Sequence, residues 1–206
     1  ASLKPMMFDP NVDAKTVNLE AGIDNVKGSA NNFYEGVTQE EVEKFYASMR
    51  DEKSETPVAA GLNSKVVKEN GKLVEKPWKV GGMYSEAITK VVYWLEKAIT
   101  VAENDQQRLA LKLLVEFYKT GDLKIYDDYN IAWVKDVNST IDVVNGFVEV
   151  YQDALGKKGS FEAVVSLKDF EATKKIETIA RNAQWFEDNA PLRPEHKKTE
   201  VKGIIG

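Results

Sequence analysis

Residues 146–165, "GFVEVYQDALGKKGSFEAVV", read as two β-type runs joined by the turn "ALGKKGS". Side chains alternate along a strand, so Phe147, Glu149, Tyr151 and Asp153 are expected on one face and Val148, Val150 and Gln152 on the other. A carboxylate and a phenol two residues apart sit about 7 Å apart along such a strand. They belong either to a solvated edge or to the wall of a site. The two lysines of the turn, Lys157 and Lys158, are expected in solvent at the hairpin tip, with contact to an anionic ligand as the alternative.

The rest of the chain supplies mostly helices. Residues 1–32 are rich in Asn, Asp, Gly and Lys and read as irregular segments or short strands. Thr38 and Glu41 stand at capping-box spacing, opening a helix with Val42, Phe45, Tyr46 and Met49 on its apolar face. Asn70-Gly71 between two β-type runs predicts a hairpin over 64–80, since both residues tolerate positive φ. After the Gly81-Gly82 break, Ile88, Val91, Val92, Leu95, Ala98 and Ile99 recur at helical spacing. A further helix runs from Asp105, as N-cap, to Gly121, and the short spacer makes the two an antiparallel pair. "DLKIYDDYNIAWVKD", 122–136, is one more short helix. The last begins at Ser166, has Asp169 three residues on, and carries Phe170, Ile176, Ile179, Ala180, Ala183 and Phe186 as one stripe until "NAPLRP" stops it. The class is α+β, helix-rich with β-hairpins.

The totals narrow the chemistry. Of 206 residues 43% are apolar, enough for a sizeable core, and the net charge of −5 comes without a basic stripe, so nucleic acid is not the expected partner. With no cysteine, thiolate chemistry and Cys-ligated metals are excluded. The one histidine, His196, lies in a polar tail and cannot supply the two or three that a hydrolytic zinc site uses. No apolar run reaches the roughly 20 residues of a membrane span. A cytoplasmic location is expected, and a periplasmic one also fits. "KVGGM" and "LGKKGS" match neither the dinucleotide nor the P-loop spacing and read as turns. Tyr93, Trp94, Phe117, Tyr118, Tyr126, Tyr129 and Trp133 read as core or core-edge aromatics. Asp127-Asp128 lacks the oxygen spacing of a calcium loop.

Around the hairpin the sequence resembles a known family. Trp133-Val134-x-Asp136, Gly146-Phe147-x-Glu149-x-Tyr151-x-Asp153, Gly156, Gly159 and Phe161-Glu162 are similar to the dipeptidyl-peptidase III family of zinc exopeptidases, with weaker similarity from about 31 to 190. The resemblance implies part of the β-barrel-containing lobe that faces the zinc lobe across a cleft. Residues 1–165 would form a substrate-binding portion, 166–190 a helix leading toward the zinc lobe, and 191–206 a polar tail. The family's His-Glu-x-x-Gly-His and Glu-Glu-x-x-Ala-Glu zinc motifs are absent, so the resemblance implies a piece of a longer protein, with no metal held here and zinc in its other half.

By the same resemblance, Glu149 holds the free N-terminal ammonium of a short peptide and Tyr151 points its phenol at the scissile carbonyl as zinc-bound water attacks. Glu162 is a further carboxylate near the peptide subsites. Gln152 stands where many relatives have arginine, and does not inherit that arginine's role. The implied partners are short peptides with a free N-terminus and the remaining zinc-bearing lobe, with the chain inactive alone. A non-catalytic peptide-binding or protein-interaction domain is the alternative.

Overall fold

The structure, a computed structural model, describes residues 3–201. In chain order it contains α1 (Lys4–Phe8), β1 (Tyr34–Glu35), α2 (Gln39–Ala47), β2 (Ser64–Glu69), β3 (Lys72–Pro77), α3 (Ser85–Thr100), α4 (Asp105–Thr120), α5 (Leu123–Val134), β4 (Ile141–Phe147), β5 (Phe161–Leu167), α6 (Phe170–Arg181) and α7 (Ala183–Asn189), then a 3-10 turn at Pro194–His196. The two sheets are small. One has the order β1-β2-β3, with β1 parallel to β2 and β2 antiparallel to β3; the other is the β4-β5 hairpin.

Local chemistry accounts for most boundaries. Thr38 and Glu41 form the reciprocal capping box that opens α2. Asn70 and Gly71 both adopt positive φ, 50° and 76°, as a two-residue hairpin of this hand requires. Gly121, at φ 75°, closes α4 in the left-handed conformation. The cap that opens α4 is Asn104, not Asp105: its side chain accepts the Gln107 amide, one residue before the expected position.

The last helix also starts later than Ser166. That residue lies within β5, paired with Asp142, and Asp169 caps α6 by accepting the amides of Glu171 and Ala172. A break at Asn182 then separates α6 from α7, so the expected continuous helix is two. Of the polar tail, residues 202–206 lie outside the described residues. Lys198 and Val201 are tied back to α7 through Glu187 and Gln184.

Two apolar cores result. The larger joins Ile88, Val92 and Leu95 of α3 with Leu111, Leu114, Phe117 and Tyr118 of α4, Tyr126 and Tyr129 of α5, and Trp78 and Phe147. The smaller joins Val26, Val37, Val42, Tyr46 and Val66, with Leu155 packed against it. Because the buried stripe of α3 is Ile88, Val92 and Leu95, Tyr93 and Trp94 fall on its outer side; Trp94 is 68% exposed, against the expectation of a core or core-edge aromatic.

The hairpin is seated on the helices at a point of close approach. A Cβ at Gly146 would stand 2.3 Å from the Tyr126 hydroxyl, so only glycine lets β4 lie this close to α5. Next to it, the Phe147 ring packs 4.8 Å from that of Trp78. Gly146→Ala is expected to cost about 1–3 kcal/mol of stability by overpacking, read as a lower urea midpoint at unchanged m-value. Thr38→Ala, which removes a cap without touching the hairpin, is expected to cost about 1 kcal/mol in the same measurement.

Candidate functional site

The hairpin ladder ends sooner than the alternating pattern implies. Regular pairing stops at Phe147 opposite Phe161, leaving residues 148–160 as a long connection. Two bonds extend it: the Val148 amide donates to the Ser160 carbonyl at 2.9 Å, and the Ser160 amide donates to the Glu149 carbonyl at 2.8 Å. Two residues thus answer one, the geometry of a β-bulge, which changes the facing of the side chains beyond it. The partner segment then leaves the hairpin, as the Gly159 amide donates to the Leu62 carbonyl at 2.8 Å. A turn closed by the Asp153 amide on the Val150 carbonyl places Tyr151 and Gln152 at its corners.

The expected shared face of Phe147, Glu149, Tyr151 and Asp153 is therefore split. Phe147 and Asp153 are buried, while Glu149 is exposed and Tyr151 is 65% exposed. Neither the Glu149 carboxylate nor the Tyr151 phenol has a hydrogen bond or ion pair among the described residues, so both stand free at the loop edge. Glu162 lies on β5 opposite Gly146, half-buried. Burial first and the Glu162 carboxylate second push the Tyr126 phenol up to about 12. The three residues thus occupy one end of the hairpin, two on the loop and one on the strand.

What the sequence reading missed lies beneath the loop. Lys158, expected in solvent, is fully buried. Its ammonium donates to the Tyr46 hydroxyl, to the Gly61 carbonyl at 3.1 Å and to Ser64 Oγ at 3.2 Å, with Glu75 Oε1 3.9 Å away. It stands 4.7 Å from the centre of the Tyr46 ring and 5.5 Å from that of Tyr34, within cation–π range. Glu75 is itself engaged, accepting from the Tyr46 hydroxyl at 2.7 Å and from Ser64 Oγ at 2.6 Å. Gly61 adopts φ 97°, and a Cβ there would strike the Tyr46 ring at 2.7 Å, so glycine permits the approach of this carbonyl.

Asp153 is buried alongside. Its carboxylate accepts the amides of Leu155, Lys157 and Lys158 and the Tyr34 hydroxyl at 2.7 Å. Burial, then the Asp153 carboxylate, raises the Tyr34 phenol; burial, then the bond to Glu75, raises that of Tyr46, so both stay protonated donors at neutral pH. Asp153 followed by Gly156 carried a legible sign, because aspartate characteristically binds backbone two residues on. For Lys158 no local pattern existed. Its partners come from residues 46, 61, 64 and 75, distant in sequence.

Open space borders the loop. A cleft of about 770 Å³ is bounded by Met49, Arg50, Pro57 and Val58 on one side and by Val150 and Lys157 on the other. Among the described residues no group of three or more His, Cys, Asp or Glu side chains is placed to hold an ion, and His196 is exposed in the 3-10 turn. The residues present therefore do not fit zinc. Asp128, one half of the acidic pair, is bound to Lys124 at 2.8 Å. No helix among the described residues is long and apolar enough to cross a membrane.

Residues 21–202 match the sequence profile of Peptidase family M49. The chain belongs to that family. It is 29% identical over 119 residues to dipeptidyl peptidase 3 of Dictyostelium discoideum, a match covering 58% of this chain and 17% of that protein. Among solved structures, dipeptidyl peptidase III from Caldithrix abyssi superposes with a TM-score of 0.63 at 29% identity, over 85% of this chain and 32% of the other. The enzyme from Corallococcus sp. strain EGB gives 0.59 at 24% identity and supports the fold alone. The chain thus spans about a sixth of the matched Dictyostelium relative and a third of these structures. The M49 match confirms the family read from the hairpin motif, and the mixture of helices with small sheets agrees with these neighbours.

The buried ammonium gives a pH signature. Burial brings Lys158 down from 10.5 to about 8, against the pull of Glu75 and Asp153. Between those values the unfolded chain holds a proton that the folded chain has released, so stability is expected to rise with pH across that window. The rise ends near pH 10, where unfolded tyrosines begin to ionise and the buried ones resist. Lys158→Met should flatten the rise, measured as urea midpoints at about pH 7 and about pH 9.5.

Proposed function

We propose that this chain is the substrate-binding portion of a zinc-dependent dipeptidyl peptidase acting on the N-termini of short peptides. The observation that carries this reading is the pair Glu149 and Tyr151. Both are exposed and have no side-chain partner among the described residues, on a loop whose backbone is hydrogen-bonded on both sides. A free carboxylate at such an edge suits a peptide ammonium, and the fixed distance from it to a phenol donor sets which carbonyl that donor reaches. Glu162, at the root of the same loop, is the second carboxylate bordering the peptide. The metal would be supplied by residues other than those described.

The partner in this reading is the zinc-bearing lobe of the same protein, and the chain alone is inactive. The apolar stripe of α6 and α7 supports it: Phe170, Ile176, Ile179, Trp185 and Phe186 are all more than half exposed. A stripe of this size on an amphipathic helix marks a contact surface. The chain's coverage of a third of the Caldithrix structure leaves ample protein to fill it. Membership of the β-barrel-containing lobe and a cytoplasmic location belong to the same proposal.

The test is peptide binding by the chain itself. Trialanine is expected to bind at least about tenfold more tightly than its N-acetyl form, the value of one charge-assisted hydrogen bond, and Glu149→Gln to abolish the difference. Tyr151→Phe should leave ground-state binding almost unchanged, because an oxyanion donor acts chiefly in the transition state. Equal binding of trialanine and N-acetyl-trialanine in titration calorimetry would refute the amine anchor.

A further inference from the structure

The loop that carries Glu149 and Tyr151 has few apolar anchors of its own, yet it contributes two buried ions. We propose that Asp153 and Lys158 are positioning residues that lock the 148–160 loop in the shape presenting Glu149 and Tyr151; this rests on the reading of that edge as a peptide-amine site. Each ion stands two residues from a point that fixes a site residue. Asp153 follows Tyr151 by two and ends the turn in which Tyr151 sits, closed by its own amide on the Val150 carbonyl. Lys158 precedes by two the Ser160 amide and carbonyl that hold the Glu149 and Val148 backbone.

The chemistry favours fixing over mere filling. Burying an ammonium costs several kcal/mol before its partners repay it, whereas an apolar side chain could occupy the same space without that penalty. The ammonium instead makes three directed bonds, to Tyr46, Gly61 and Ser64, on two separate stretches of chain. They permit one placement of the loop over the β1-β2-β3 sheet. The Asp153 carboxylate answers the inward-facing amides of residues 155, 157 and 158, which would otherwise be left unpaired. Glycine at 159 completes the seat, since a Cβ there would meet the Phe147 carbonyl carbon at 2.7 Å.

Amide hydrogen exchange, followed residue by residue on the full 206-residue chain, separates this clamp from a general effect on stability. In Lys158→Met the amides of Val148, Asp153, Gly159 and Ser160 are expected to exchange at least about tenfold faster, while those of Leu114 and Phe117 in α4 keep their rates. Trialanine affinity should fall by a similar factor, with N-acetyl-trialanine unaffected. Asp153→Asn, which keeps the side-chain shape, serves as the second variant if Lys158→Met also accelerates exchange in α4. Wild-type exchange rates across 148–160 in both variants would overturn the proposal. So would faster loop exchange with undiminished trialanine affinity while Glu149→Gln still loses it. Wild-type protein that binds trialanine and its N-acetyl form equally would instead defeat the amine-site reading, and the positioning role with it.

Discussion

One buried cation organises this molecule. The Lys158 ammonium lies where the 148–160 loop, the end of α2 and the β2-β3 hairpin meet, between the rings of Tyr34 and Tyr46 and near the carboxylate of Glu75. Those elements belong to the smaller core, whereas the root of the loop, Phe147, belongs to the larger. The loop therefore bridges the cores, with an aromatic anchor at one end and an ionic one at the other. Such a pair of anchors resists both sliding and rotation, which a purely greasy contact would not.

Elements whose signals are local were legible in the sequence. The capping box at Thr38, the Asn70-Gly71 turn, the left-handed Gly121 and the periodic stripes of α3 and α4 each depend on residues within a turn or two of one another. The family was legible as well, because its hairpin motif is dense. What escaped was set by contacts from afar. The bulge at Val148 and Glu149 follows from Gly159 turning to Leu62, a residue nearly a hundred positions earlier, and no alternation of polar and apolar residues reports it. Lys158 looked like one of two solvated lysines because nothing nearby reveals its partners. Tyr93 and Trp94 read as core or core-edge from the aromatic content of the helices, which does not report which side of α3 they occupy.

The proposed site residues illustrate the same division. Glu149, Tyr151 and Glu162 are legible from a motif, and their neighbourhood in space follows from the hairpin that contains them. How they are held is not readable, since the holding groups are glycines and buried charged side chains whose partners lie far off in sequence. Gly146 admits Tyr126, Gly159 admits the Phe147 backbone and Gly61 admits Tyr46. Each absent side chain makes room for a specific contact. These glycines thus act as spacers between layers of the fold, a role that turn propensity alone does not convey.

The separation of Lys158 from Tyr46 by 112 positions has a kinetic meaning. The pair α3 and α4, and then α5, are neighbours along the chain and can assemble through short loops. The ionic seat cannot exist until α2, the β2-β3 hairpin and the β4-β5 hairpin are all in place, because each provides part of it. Closing so long a loop carries an entropic cost that local helix pairs avoid. Glu149 and Tyr151 are therefore expected to reach their final arrangement after the scaffold around them. During synthesis, their edge would take shape only once the chain had emerged past residue 160.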